Sequence, residues 1–98
     1  MNINEMQRAA SQASTLMKAL SSETRLMLLC KIREGEISVN SLAGTFEMLP
    51  ASVSQQLALL RKDGLVRTRR DGQTIYYALA GNEAERVISL LYDLYCTD

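Results

Sequence analysis

The stretch "PASVSQQLALLRKDGLVRTRRDGQTIYYAL", residues 50–79, constrains the fold more than any other, because its hydrophobic period changes halfway along. In its first half Val53, Leu57 and Leu60 recur at helical spacing. Pro50 suits the first helical position, where a missing N–H costs nothing, and Gly64 marks the end of the helix. In the second half two β-rich runs flank Asp71-Gly72, a two-residue hairpin signal. A hairpin centred there pairs Arg70 with Gln73, Thr68 with Ile75 and Val66 with Tyr77. Those residues share one face with Leu79, while Arg67, Arg69, Thr74 and Tyr76 take the other.

The rest of the chain supplies helices. Between Asn4 and Leu20 the apolar positions Met6, Ala9, Ala10, Ala13, Leu16, Met17 and Leu20 follow helical spacing. In "SSETRLMLLCKIREG", Ser21 or Ser22 caps a second helix, Glu23 suits its positive end and Gly35 stops it. Ser38 caps a short third helix in "SVNSLAGTF", and Asn82 caps a last one running to about Tyr95. The expected fold is therefore mainly α with a β-hairpin wing, a winged helix–turn–helix occupying residues 1–98 as one domain. The apolar stripe of the last helix, from Ala84 through Leu94 and Tyr95, is wider than one small subunit needs. Together with the first helix it predicts a homodimer. A chain of 98 residues buries only a modest core alone, which points the same way.

No apolar run approaches the ~18 residues that span a bilayer, and "MNINEMQRAA" lacks the basic start and apolar stretch of a signal peptide. The expectation is a cytoplasmic protein without a membrane partner, whose thiols are reduced by default. Eleven basic residues balance eleven acidic ones overall. Between Ala51 and Ala80, however, Arg61, Lys62, Arg67, Arg69 and Arg70 face only Asp63 and Asp71, a local excess of three positive charges. Charge alone suits a solvated surface and a nucleic-acid footprint equally.

Placement favours nucleic acid. Opposite the apolar face of the fourth helix lie Ala51, Ser54, Gln55, Ala58 and Lys62, flanked by Ser52 and Gln56. Small hydroxyls and amides at a helix start can reach base edges and phosphates, and Gln can bond adenine through two atoms. On the helix alone an ordinary surface helix is the simpler reading. Arg67, Arg69 and Arg70 clustered beside a tight turn, with Gln73 at its edge, tip the balance to double-stranded DNA.

"LSSETRLMLLCKI", "SVNSLAGTF", "SVSQQLALLRKDGLVRTRRDGQTIYYAL" and the last helix resemble the ArsR-type bacterial repressors over nearly the whole chain. The resemblance implies a dimer that binds an imperfect palindromic operator and changes affinity when an inducer binds. It implies DNA contacts at Ser54 and Gln55, with Ser52 beside them. The chain departs from the pattern at Pro50 and Ala51, where polar residues are common, and Gln56 stands where histidine is frequent.

Many such proteins sense metals through a Cys-x-Cys in the third helix, where this chain reads Ser38-Val39-Asn40. A hydroxyl and an amide do not replace two thiolates for a soft metal. There is no histidine, and two cysteines fall short of a closed tetrahedral site. No metal or cofactor is expected. A thiol oxidoreductase would want a C-x-x-C or a nearby histidine base, and neither is present.

The two cysteines remain. Cys30, near Leu26, Leu29 and Arg33, reads by itself as a small core residue, and Cys96 sits near the chain end. Their positions resemble one subgroup of the family, typified by BigR, SqrR and HlyU, with a cysteine in the second helix and another ending the last. The resemblance implies a redox switch in which a persulfide or oxidant links Cys30 and Cys96 and changes DNA affinity. Local charge leaves open which cysteine attacks first. A metal-responsive repressor, and a constitutive regulator with structural cysteines, are the competing readings.

Overall fold

The computed structural model describes residues 1–96. Its elements are α1 (Ile3–Ala19), α2 (Glu23–Arg33), β1 (Ile37–Ser38), α3 (Val39–Phe46), α4 (Pro50–Lys62), β2 (Val66–Asp71), β3 (Thr74–Leu79) and α5 (Glu83–Tyr95). Side chains start most of the helices as the sequence predicts. The Ser22 hydroxyl accepts from the Arg25 amide, the Ser38 hydroxyl from the Ser41 amide, and Pro50 opens α4. Ser21 plays a different part, donating its hydroxyl to the Lys18 carbonyl at the end of α1. Asn82 occupies the residue before α5, but in helical conformation and without a capping hydrogen bond.

Three of the helices converge through their apolar stripes. Leu28, Leu29 and Ile32 of α2, Leu42 and Ala43 of α3, and Val53, Leu57 and Leu60 of α4 are buried together. Leu65 and Val66 enter from the wing base, and Ala84 and Ile88 from α5. Each buried Leu or Ile contributes about 1.5–3 kcal/mol of transfer free energy. The core thus lies under α4 and holds its polar face outward. Glu47 closes α3 in a left-handed conformation, φ 53°, and starts the tight turn into α4.

Cys30 is exposed, against the expectation that it belongs to the core. Each residue turns an α-helix by about 100°, so Cys30 sits about 160° round from the buried Ile32.

The sheet has three strands in the order β1-β3-β2, all antiparallel, where the sequence suggests a two-stranded hairpin. Ile37 pairs with Tyr77 and Ser38 with Tyr76. Two residues are too few to show a period, and Ser38 doubles as the α3 cap.

The hairpin register also differs. Asp71 pairs with Thr74, Arg70 with Ile75, Thr68 with Tyr77 and Val66 with Leu79, so the loop is Gly72-Gln73 and not Asp71-Gly72. Of these two loop residues only Gly72 takes positive φ, at 63°, the pattern of a turn that wants glycine first. Asp71 stays in the strand. Partners move by two residues along β3, so each side chain keeps the face expected for it.

From Ile3 to Lys18 every residue of α1 except Leu16 is exposed. Among the described residues no helix is long and apolar enough to cross a membrane.

Candidate nucleic-acid interface and thiol pair

The outward face of α4 carries Ala51, Ser54, Gln55, Ala58 and Lys62, all exposed, with Ser52 and Gln56 half-buried at its borders. Gln56 turns inward. Its amide oxygen accepts from Arg25 Nη1 at 3.4 Å, while Arg25 also donates to the Ala19 and Lys18 carbonyls at 2.7 and 3.2 Å. Arg25 therefore ties α4 to the end of α1, and Gln56 is occupied in that tie. Ser54 and Gln55 lie clear of it.

The three wing arginines have three environments. Arg67 is exposed. Arg70 Nε donates to the Gly72 carbonyl at 3.1 Å, which holds its guanidinium at the hairpin tip beside exposed Gln73. Arg69 is engaged most fully. Its Nε and Nη2 both reach the Glu36 carboxylate, the latter at 2.9 Å, and its Cζ lies 5.0 Å from the centre of the Tyr76 ring. The arginine holds the Glu36 carboxyl below the usual carboxylate range, chiefly by hydrogen bonding, and Glu36 in turn raises Arg69. No local pattern announces this pair, since 33 residues separate its members.

The two cysteines are both exposed and both free thiols. α2 and α5 pack together between them. Arg33 reaches Glu85 at 3.6 Å and lies over the Tyr92 ring, 5.4 Å from its centre. Cys30 is one turn before Arg33 on α2, and Cys96 one turn after Tyr92 on α5. Although Cys30 is exposed as a residue, partial burial of its sulfur pushes the thiol up. The Cys96 thiol pushes it further, Glu34 adds to this, and Arg33 opposes it. Both thiols thus stand on helices that pack side by side in one subunit. A groove of about 300 Å³ opens beside Cys30, with Leu26, Met27, Lys31 and Phe46 among its walls. Among the described residues no three or more Cys, His, Asp or Glu side chains stand where they could hold a metal ion.

Arg25, Glu36 and Tyr92 were not among the residues singled out from the sequence, and Arg33 was noted only as a neighbour of Cys30. Each acts through a partner distant in the chain.

Comparison with known proteins shows the family and the fold. Residues 22–68 match the family described as bacterial regulatory proteins of the arsR family. The transcriptional activator HlyU of Vibrio cholerae is 43% identical over 96 residues, spanning 98% of this chain and 89% of that protein. The structure of reduced HlyU from the same organism superposes with a TM-score of 0.92 at 41% identity, covering 97% of this chain and all of the other. The transcriptional repressor BigR of Xylella fastidiosa gives a TM-score of 0.87 at 37% identity, with both chains fully covered. A homodimeric winged helix–turn–helix DNA-binding domain, Mb0332 of Mycobacterium bovis, gives 0.82 at 29% identity, covering 96% of this chain and 87% of that one.

Proposed function

The chain belongs to the arsR family of bacterial regulatory proteins, and from that premise we propose a dimeric operator-binding regulator controlled by its two thiols. Family membership makes it a DNA-binding transcriptional regulator and not an enzyme. The finer reading assigns base contacts to Ser54 and Gln55, with Ser52 beside them, and phosphate contacts to Lys62, Arg67, Arg69, Arg70 and Gln73. Gln56, held by Arg25, acts by setting the position of α4. Two copies joined through α1 and α5 would present two α4 helices to an imperfect palindrome, as the homodimeric relative Mb0332 encourages.

The observation that carries the switch is the placement of two exposed, free thiols on packed helices, each one turn from the Arg33–Tyr92 contact that joins α2 to α5. α5 belongs to the proposed dimer surface, and α2 underlies α4 in the core. A sulfur bridge between Cys30 and Cys96 would therefore connect the element that sets dimer geometry to the one that supports the DNA-reading helix. Two thiols and one persulfide RSSH give a disulfide, one RSH and one H₂S. A second RSSH leaves a trisulfide, with two RSH and one H₂S released. The inserted sulfur spans a longer gap than a disulfide, whose Cα atoms must lie about 4.4–6.8 Å apart. The bridge changes affinity by fitting the DNA-free shape of the dimer better than the bound one, with a typical coupling of about 1–3 kcal/mol.

The test is operator binding before and after treatment with an organic persulfide, on an operator selected from a random duplex pool. The wild type should lose affinity about 5- to 150-fold. Cys30→Ser and Cys96→Ser should bind but not respond. Intact mass should show one intrasubunit bridge of two or more sulfurs. A Cys96→Ser protein that responds like wild type, or release of DNA by a metal ion alone, would exclude this switch.

A further inference from the structure

We propose that Glu36 is a positioning residue for DNA binding, which holds the Arg69 guanidinium side-on and leaves its outer edge ready for a phosphate. The proposal rests on the reading of the wing as a DNA-backbone contact.

Arg69 stands on β2, and its cross-strand partner on β3 is Tyr76. Beyond Tyr76 lies β1, whose Ser38 pairs with the same tyrosine. The Arg69 side chain reaches across the Tyr76 ring to Glu36, just before β1 at the far edge of the sheet. There Nε lies 3.1 and 3.0 Å from the two carboxylate oxygens, and Nη2 lies 2.9 Å from one of them. One edge of the guanidinium is thus taken and one face covered.

What remains is a specific set of donors. Arginine has five N–H groups in a rigid plane. Glu36 uses those of Nε and one of Nη2. The other Nη2 hydrogen and both on Nη1 form the outer edge, where the Asp71 carboxylate lies 4.0 Å from Nη1, an ion pair without a hydrogen bond, so these donors still have no hydrogen-bond acceptor in the carboxylate. The Arg69 side chain is half exposed. Its outer edge has the fork geometry that matches two phosphate oxygens, and the exposed Asp71 side chain can swing aside from it.

Two roles are open to a carboxylate in this place, and they differ in sign. As a plug, Glu36 would occupy the arginine until DNA displaced it, and its removal would tighten binding. As an anchor, it orders the arginine in advance, and its removal would weaken binding. Occupation of the inner edge alone favours the anchor, because phosphate binding at the outer edge does not require the pair to break. An arginine already held by two bonds and a ring has less rotamer freedom left to lose.

The test uses the full chain and a short mixed-sequence DNA duplex, titrated at several salt concentrations. Glu36→Gln, close in shape, removes a negative charge near DNA, which by charge alone would strengthen binding. We expect instead a weakening of about three- to tenfold, the effect of one side chain left to be ordered on binding. The slope of log affinity against log salt should stay at the wild-type value, because the phosphate contact still forms. Arg69→Ala should make that slope shallower by about 0.9, the loss of one phosphate contact. Adding Glu36→Gln to Arg69→Ala should weaken binding no further. Tighter or unchanged binding by Glu36→Gln overturns the proposal, as does an equal further loss in the Arg69→Ala background. An unchanged slope in Arg69→Ala would remove the wing contact itself, and the anchor with it.

Discussion

Cys30 and Ile32 are two residues apart and end on opposite sides of α2, one beside a surface groove and the other in the core. That rotation turns Cys30 from a packing residue into an accessible thiol. Its chemistry is then set by neighbours. Burial and the Cys96 thiol both favour the protonated form, and Arg33 favours the thiolate. With the balance raised, Cys30 is mostly thiol at neutral pH, and its reactivity grows as pH rises through its elevated pKa. Alkylation of Cys30 by iodoacetamide should therefore reach half its maximal rate above the pH found for an ordinary cysteine. Replacing Cys96 with Ser removes a like charge, so this midpoint should move down. Arg33→Gln removes an opposite charge, so it should move up. Peptide mass spectrometry at Cys30 across an alkaline pH series reads both. A midpoint that ignores Cys96→Ser would contradict the closeness of the two sulfurs.

Helix α4 and the wing divide the work that DNA recognition requires. α4 presents amides and hydroxyls in a row, suited to base edges, while the wing presents guanidinium groups, suited to phosphates. The two kinds of contact fail in different ways. Gln55→Ala should cost about 1–3 kcal/mol of discrimination between a selected operator and its base-substituted versions, with affinity for mixed-sequence DNA little changed. Arg70→Ala should weaken binding to every sequence alike and make the salt slope shallower by about 0.9. Fluorescence anisotropy on the two duplexes over a salt series separates the outcomes. An Arg70 variant with altered sequence preference and an unaltered slope would reverse the division. Both elements owe their placement to Leu57, Leu60 and Val66, which are buried beneath them.

Across the whole molecule, the apolar surface left uncovered is concentrated on α1 and α5. Leu90, Leu94 and Tyr95 of α5 are 56%, 62% and 81% exposed, and Met6 and Met17 of α1 are also largely exposed. Leu16, Val87 and Leu90 line one shallow depression, so the two helices form a continuous surface. A second copy covering it in two-fold fashion would set the α4 helices for successive major grooves, about 34 Å apart. Leu91 is a poor probe of this surface, because it packs partly against the core of its own subunit. Leu94 projects away from it. Leu94→Glu should leave a folded chain that sediments as a monomer, since a dimer would bury its carboxylate unpaired. Its operator affinity should fall together with its assembly. A Leu94→Glu protein that remains dimeric would place the interface elsewhere.

Local chemistry determined a good deal of this protein from sequence alone. Hydrophobic period located the five helices and the wing, because the spacing of Val53, Leu57 and Leu60 admits one buried face. Ser22, Ser38 and Pro50 marked helix starts through bonds made or spared within three residues of themselves. The outward face of α4 was legible for the same reason, as the complement of the inward one. Tertiary structure decided what depends on partners distant in the chain. β1 exists because Ile37 and Ser38 find the open edge of β3. The hairpin register follows the pairing of Val66 with Leu79 and the positive φ of Gly72, whereas Asp71-Gly72 by itself suggests a different loop. Arg69 meets Glu36 across a sheet whose third strand the sequence does not announce. Arg33 meets Glu85 and Tyr92 only because α2 and α5 pack side by side. The same packing brings Cys30 toward Cys96, which the sequence places 66 positions apart (96 − 30). A local pattern specifies which face a residue takes; what it meets there is settled only when the elements pack.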